Sequence, residues 1–129
     1  MADETGAHAR VLIIDDDQDT RETYRHMLRA DGYAVRAAPT VEAGLAEAAI
    51  EQPAAVLLDL HMPLGGGLDC LRRLRAEPRW ANIPVAIVTG DYFLDDRVAG
   101  ELLALGARIH FKPLWQDDLQ RLVKEMLAL

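Results

Sequence analysis

The chain has 129 residues, half of them hydrophobic and 27% charged, with a formal net charge of -7 at pH 7 and one cysteine. That length suits a single hydrophobic core, no apolar run approaches the roughly 20 residues of a membrane helix, and the lone Cys70 excludes an internal disulfide and suits a reducing, cytoplasmic setting. The negative balance works against sequence-independent binding to nucleic acid, so the expected partners are proteins.

Residues 1–9 carry Asp3 and Glu4 and no apolar stretch, so a flexible lead-in rather than a secretory signal is expected there, with the domain itself spanning 10–129. The first strand is expected at Val11 to Asp15, followed by a helix whose inner face carries Tyr24, Met27 and Leu28 and which Gly32 ends. Tyr33 to Ala37 gives the second strand. Thr40 is a natural N-cap for an alanine-rich second helix that stops before Pro53. Ala55 to Leu60 gives the third strand, and Gly65, Gly66 and Gly67 then suggest a flexible turn giving access to a site. The third helix is marked by Leu68, Leu71 and Leu74, with Cys70 as a buried structural thiol. Pro84 to Thr89 gives the fourth strand, and Leu94, Val98, Leu102 and Leu105 the fourth helix, ended by Gly106. Arg108 to Phe111 and the helix bearing Leu119, Leu122, Val123 and Met126 complete the chain, with Trp80 and Trp115 as hydrophobic anchors at element ends and His26 and Lys124 on the surface.

Strands alternating with helices in this way build an α/β fold, a doubly wound five-stranded parallel sheet. The nearly continuous apolar runs of the first, third and fourth strands suit central positions, while Arg36, Arg108 and His110 suit strands nearer an edge. Functional loops are then expected at the carboxyl ends of the strands.

Those ends deliver a set of polar residues: Asp15, Asp16 and Asp17 after the first strand, Asp59 after the third, Thr89 ending the fourth and Lys112 after the fifth. Each alone is an ordinary turn or capping residue. Together they have a chemistry. Gathered carboxylates are costly without a cation, and oxygen ligands suit a hard ion such as Mg2+. A carboxylate such as Asp59 can attack phosphorus, and a lysine and a hydroxyl can meet the phosphoryl oxygens. Lys112 is notable because only two of the 14 basic residues are lysines. No glycine-rich loop is followed by the Lys and Ser or Thr of a nucleotide site, and His8, His26, His61 and His110 lack zinc-ligand spacing.

The segments VLIIDDD, VLLDLHMP, VAIVTG and FKP, in that order, resemble the response-regulator receiver domain over Val11 to Leu127. The resemblance implies the flavodoxin-like (βα)5 fold with strand order 2-1-3-4-5, and a two-component phosphorelay function rather than that of a classical enzyme. It implies Mg2+ held by Asp15, Asp16, Asp59 and the backbone carbonyl of His61, with Asp59 as phosphoacceptor, Thr89 as switch hydroxyl beside the small Gly90, Lys112 as phosphate-binding cation and a cis bond before Pro113. A sensor histidine kinase or histidine phosphotransfer protein would supply the phosphoryl group and a downstream protein would read it, with no direct role for nucleic acid or membrane. Because the chain starts with Met and stops soon after the fifth helix, a single-domain regulator is expected, though a receiver excised from a longer protein is the other possibility. The aromatic usually three positions before the lysine is replaced by Ile109, and Gly106 to Lys112 is one residue shorter than the usual pattern. Rearrangement is therefore expected over Gly90 to Leu94 and the face bearing Leu94, Arg97, Val98 and Glu101. The alternatives are a pseudo-receiver that only binds proteins, which would lack an acid, the Thr or the Lys, and a small-ligand or flavin-binding domain, which would need a binding loop.

Overall fold

The computed structural model describes residues 9–63 and 66–128. Five strands and five helices alternate: β1 (Arg10–Ile14), α1 (Gln18–Ala30), β2 (Ala34–Ala38), α2 (Val41–Ile50), β3 (Ala55–Leu58), α3 (Gly67–Ala76), β4 (Val85–Thr89), α4 (Asp96–Ala104), β5 (Arg108–Phe111) and α5 (Gln116–Leu127). The strands form one sheet in the order β2-β1-β3-β4-β5, parallel at every pairing. The expected doubly wound sheet and its strand order are thus present. Among the described residues, no helix is long and apolar enough to cross a membrane.

Alternation along the strands divides the core in two. Leu12, Ile14, Val56, Leu58, Val85 and Ile87 face Val41, Leu45 and Ala48 of α2, Cys70, Leu71 and Leu74 of α3, and Leu102 of α4. Val11, Ile13, Ala55, Leu57, Ala86 and Val88 face Tyr24 and Leu28 of α1 and Leu119, Leu122, Val123 and Met126 of α5. Central strands buried on both faces read as unbroken apolar runs for this reason. The edge strands carry the charges: Arg36 of β2 reaches Glu47 at 2.6 Å and Glu51 at 3.1 Å, and Arg108 of β5 reaches Glu125 at 3.3 Å.

Local signals decide where elements begin and end. Asp17 caps α1 by accepting from the Thr20 amide at 3.1 Å, and Thr40 caps α2 by accepting from Ala43 at 3.1 Å. Gly32 and Gly106, with φ of 92° and 81°, reverse the chain after α1 and α4. At the rim away from the strands' carboxyl ends, Arg75 of α3 donates to the carbonyls of Leu105 at 2.7 Å and Ile83 at 2.8 Å, and more weakly to Ala81 and Trp80.

Three expectations need revision. Trp80 is buried as anticipated, but Trp115 is 69% exposed and anchors nothing. The Gly65–Gly67 turn is more than a permissive segment, although Gly65 itself lies outside the described residues. Gly67 is buried, its amide donates to the Leu60 carbonyl at 2.7 Å, and a Cβ there would sit 2.4 Å from the Asp59 carbonyl oxygen. It is glycine because two backbones meet. Finally, residues 1–8 of the expected lead-in lie outside the described residues, while the Ala9 carbonyl already accepts from Ala34 at 3.0 Å and so extends the β1–β2 pairing by one residue.

Candidate functional site

Sheet hydrogen bonding continues one residue beyond the strands and carries the polar set with it. Asp15 donates its amide to Ala38 at 3.1 Å, Asp59 donates to Ile14 at 2.9 Å, and Lys112 donates to Thr89 at 2.8 Å. Each side chain is thereby set at the carboxyl edge by the register of the strand before it. Asp15, Asp59 and Thr89 are buried, whereas Asp16 is exposed.

Carboxylate oxygens of Asp15, Asp16 and Asp59 lie within 4.8 Å of one another. Lys112 closes the cluster, its Nζ 3.0 Å from Asp15 and 3.6 Å from Asp59. Burial is the main force pushing the Asp59 carboxyl up to about 6, the Asp15 charge adds to it, and Lys112 opposes it. Burial by itself would lower Lys112, but its hydrogen bond to Asp15 and the charges of Asp15 and Asp59 outweigh it, so the ammonium is held above its ordinary value. Three hard oxygen donors, one open to solvent, with a charge only partly compensated by one lysine, fit a hydrated divalent cation such as Mg2+.

Asp17, the third acid of the run, is spoken for: it caps α1 through Thr20, and its own amide donates to Asp15 at 2.9 Å. Arg21 donates to the Asp15 carbonyl at 2.8 Å. Thr89 accepts from the Asp91 amide at 3.1 Å, which leaves its hydroxyl proton available to another acceptor. Space beside Gly90 is open, since a Cβ there would meet nothing within 4 Å. The bond between Lys112 and Pro113 is cis, as the resemblance implied.

His61 stands two residues past Asp59 between buried Leu60 and Met62, and its exposed ring meets the Asp91 carboxylate at 2.8 Å. The hydrogen bond from His61 keeps the Asp91 carboxyl below its ordinary value. Sequence reasoning singled out His61 but missed this partner 30 residues away, for which no local signal exists. It also missed Tyr92, whose hydroxyl donates to the Lys112 carbonyl and whose ring stacks on Phe111. Of the face expected to respond, Leu94 and Val98 pack half-buried against the core, Arg97 is exposed, and Glu101 is held by Arg72 at 2.6 Å.

The model of the response regulator receiver domain family matches residues 11–124. The KDP operon transcriptional regulatory protein KdpE of Escherichia coli (strain K12) is 36% identical over 111 residues, which are 85% of this chain and 47% of that protein. The transcriptional regulatory protein PrrA of Mycobacterium tuberculosis is 34% identical over 119 residues, or 92% of this chain and 49% of that one. The chain thus spans about half the length of the curated relatives it matches. Among solved structures, the chemotaxis protein CheY4 of Vibrio cholerae superposes with a TM-score of 0.86 at 25% identity, covering 93% of this chain and 99% of that one. A CheY-like receiver domain protein from Methanospirillum hungatei gives 0.85 at 29% identity, covering 94% of both.

Proposed function

The chain belongs to the response-regulator receiver family of two-component signalling systems, and from that premise we propose that it accepts a phosphoryl group on Asp59 and thereby switches its contacts with other proteins. The observation that carries this reading is the placement of Asp59: buried after the central strand, within reach of Lys112, and clustered with Asp15 and Asp16.

In the proposed reaction an Asp59 carboxylate oxygen attacks the phosphorus of a phosphohistidine on a sensor kinase or phosphotransfer protein. The new P–O bond forms as the P–N bond breaks, and the imidazole leaves with the electron pair and takes up a proton. Asp15, Asp16, Asp59 and the His61 carbonyl would hold Mg2+, which supplies charge neutralisation to the phosphoryl oxygens when bound. Lys112 is already beside the nucleophile, and its ammonium can donate to an equatorial oxygen. Thr89 can donate its free proton to another. These contacts exist only when the phosphoryl group is present, so they supply the differential free energy that a two-state switch needs. The domain is a signalling module whose chemistry is confined to its own phosphorylation and dephosphorylation, acting in the cytoplasm through protein partners and with no contact to nucleic acid of its own.

Intact mass after incubation with acetyl phosphate and Mg2+ tests this. The native protein should gain roughly 80 Da, the mass of one phosphoryl group, and Asp59→Asn should gain nothing. Equal labelling of the two proteins would remove Asp59 from the role.

A further inference from the structure

Tyr92 and Phe111 are large side chains left largely in water, 63% and 42% exposed, yet they are not idle. Their rings stack with centroids 5.6 Å apart and planes 24° apart, and the Tyr92 hydroxyl donates to the backbone carbonyl of Lys112. The Lys112 amide in turn donates to the Thr89 carbonyl at 2.8 Å, and Phe111 lies opposite Thr89 in the register of β4 and β5. A closed circuit results. It runs along the chain from Thr89 through Gly90 and Asp91 to Tyr92, across to Lys112, and back to Thr89, so the two residues assigned to the phosphoryl oxygens sit on one hydrogen-bonded ring. Within this ring the space beside Gly90 is open. Asp91 adds a brace by donating its amide to the Thr89 hydroxyl at 3.1 Å, while its carboxylate accepts from the Phe93 amide at 3.0 Å and meets His61 at 2.8 Å.

We propose that Tyr92 is a positioning residue for phosphoryl recognition: by bonding the Lys112 carbonyl and stacking on Phe111, it fixes Lys112 and Thr89 relative to each other. The inference rests on the phosphoacceptor reading above. Tyr92 touches neither the cation cluster nor the phosphoryl oxygens. It acts through the backbone of Lys112, where a hydroxyl can be removed without disturbing the buried core. Phe111 provides the platform that holds the Tyr92 ring over the end of β5, next to Lys112 in the chain.

The test is titration with beryllofluoride in the presence of Mg2+, followed by the amide NMR signals of Thr89 and Lys112, in native protein and in Tyr92→Phe, Phe111→Leu, the double variant and Phe93→Leu. Losing one hydrogen bond at a half-open position should weaken beryllofluoride binding roughly three- to tenfold in Tyr92→Phe. Phe111→Leu should do the same, and the double variant should be no worse than either, because one tether can be lost only once. Mg2+ affinity should stay native, and the urea midpoint should fall by no more than the loss of one solvent-accessible contact allows, so that the variants remain folded. The Lys112 amide should move in both single variants before any ligand is added. Phe93→Leu changes a side chain that is 94% exposed and should behave as native. Native affinity in Tyr92→Phe with unmoved Thr89 and Lys112 signals would overturn the proposal, as would an equal loss in Phe93→Leu, which would make the effect a property of the loop at large. If native protein gave no response to beryllofluoride while Asp59→Asn behaved identically, the phosphoacceptor reading itself would fall.

Discussion

Ionising Asp59 in the metal-free protein works against burial and the Asp15 charge and is helped only by Lys112, which is why its carboxyl rises from an ordinary 3.8 to about 6. A carboxyl raised by folding favours the folded state while protonated. Its contribution is therefore complete below pH 3.8 and is lost as pH climbs through about 6. Asp59→Asn escapes that loss. With a chelator present it should be more stable than the native protein by about 1–3 kcal/mol at roughly pH 7.5, the larger figure being the full equivalent of the shift, and indistinguishable near pH 4. Urea midpoints at both pH values check this, and a pH-independent difference would count against the electrostatic origin. Gly67 makes a second case at this scale. Alanine is ordinarily preferred to glycine at a helical position, but here the added Cβ meets two backbone atoms, the Asp59 carbonyl oxygen at 2.4 Å and the Leu60 Cα at 3.0 Å. Gly67→Ala should cost about 1–3 kcal/mol as overpacking, whereas Gly90→Ala, with nothing in reach, should stay within about 0.5 kcal/mol. Equal urea midpoints for the two variants would refute the contrast.

Between elements, arginines do two different jobs. Arg72 of α3 meets Glu101 of α4 at 2.6 and 2.7 Å, but both side chains are substantially exposed, and such pairs contribute about 0–1 kcal/mol. Arg75, one turn further along α3 and half-buried, donates instead to carbonyls at the end of α4 and in the segment before β4. Removing it strands acceptors that water reaches poorly. Arg75→Leu should therefore cost about 2 kcal/mol and Arg72→Leu under 1 kcal/mol, as read from urea denaturation; similar losses for both would show that the carbonyl contacts carry no special weight. These contacts also mark the limit of legibility. The strands, the Thr40 cap and the glycine returns were readable because each is written within a few consecutive residues. The site was readable because a parallel sheet must bring residues after its strands to one edge, so Asp15, Asp59, Thr89 and Lys112 converge whatever the helices do. Pairings such as His61 with Asp91, Arg75 with Leu105, or Tyr92 with Lys112 join residues 20 to 30 positions apart, and nothing in either local pattern names its partner. Trp115 misled for a related reason: an aromatic at an element end anchors it only if a neighbouring surface arrives to cover it, and none of the described residues does.

Across the whole molecule, the sheet separates a core shared with α2, α3 and α4 from one shared with α1 and α5, and the site straddles the line between them. Thr89 and the loop after it lead into α4, whereas Lys112 leads into α5, so a ligand that draws both inward pulls on both sides of the sheet. Asp59 occupies a different position in this arrangement. It follows β3, the middle strand of five, paired on both sides and buried at every residue. In the language of hydrogen exchange, the amides of Val56 to Leu58 should open only with global unfolding, while those from Tyr92 to Asp95 exchange through small local openings. Deuterium uptake would show this as a difference of several orders of magnitude in protection, and comparable rates in the two segments would contradict it. Asp59, the proposed acceptor, is thus mounted at the end of the strand expected to open last, and the motion that the proposed switch requires falls to the groups that come to meet it.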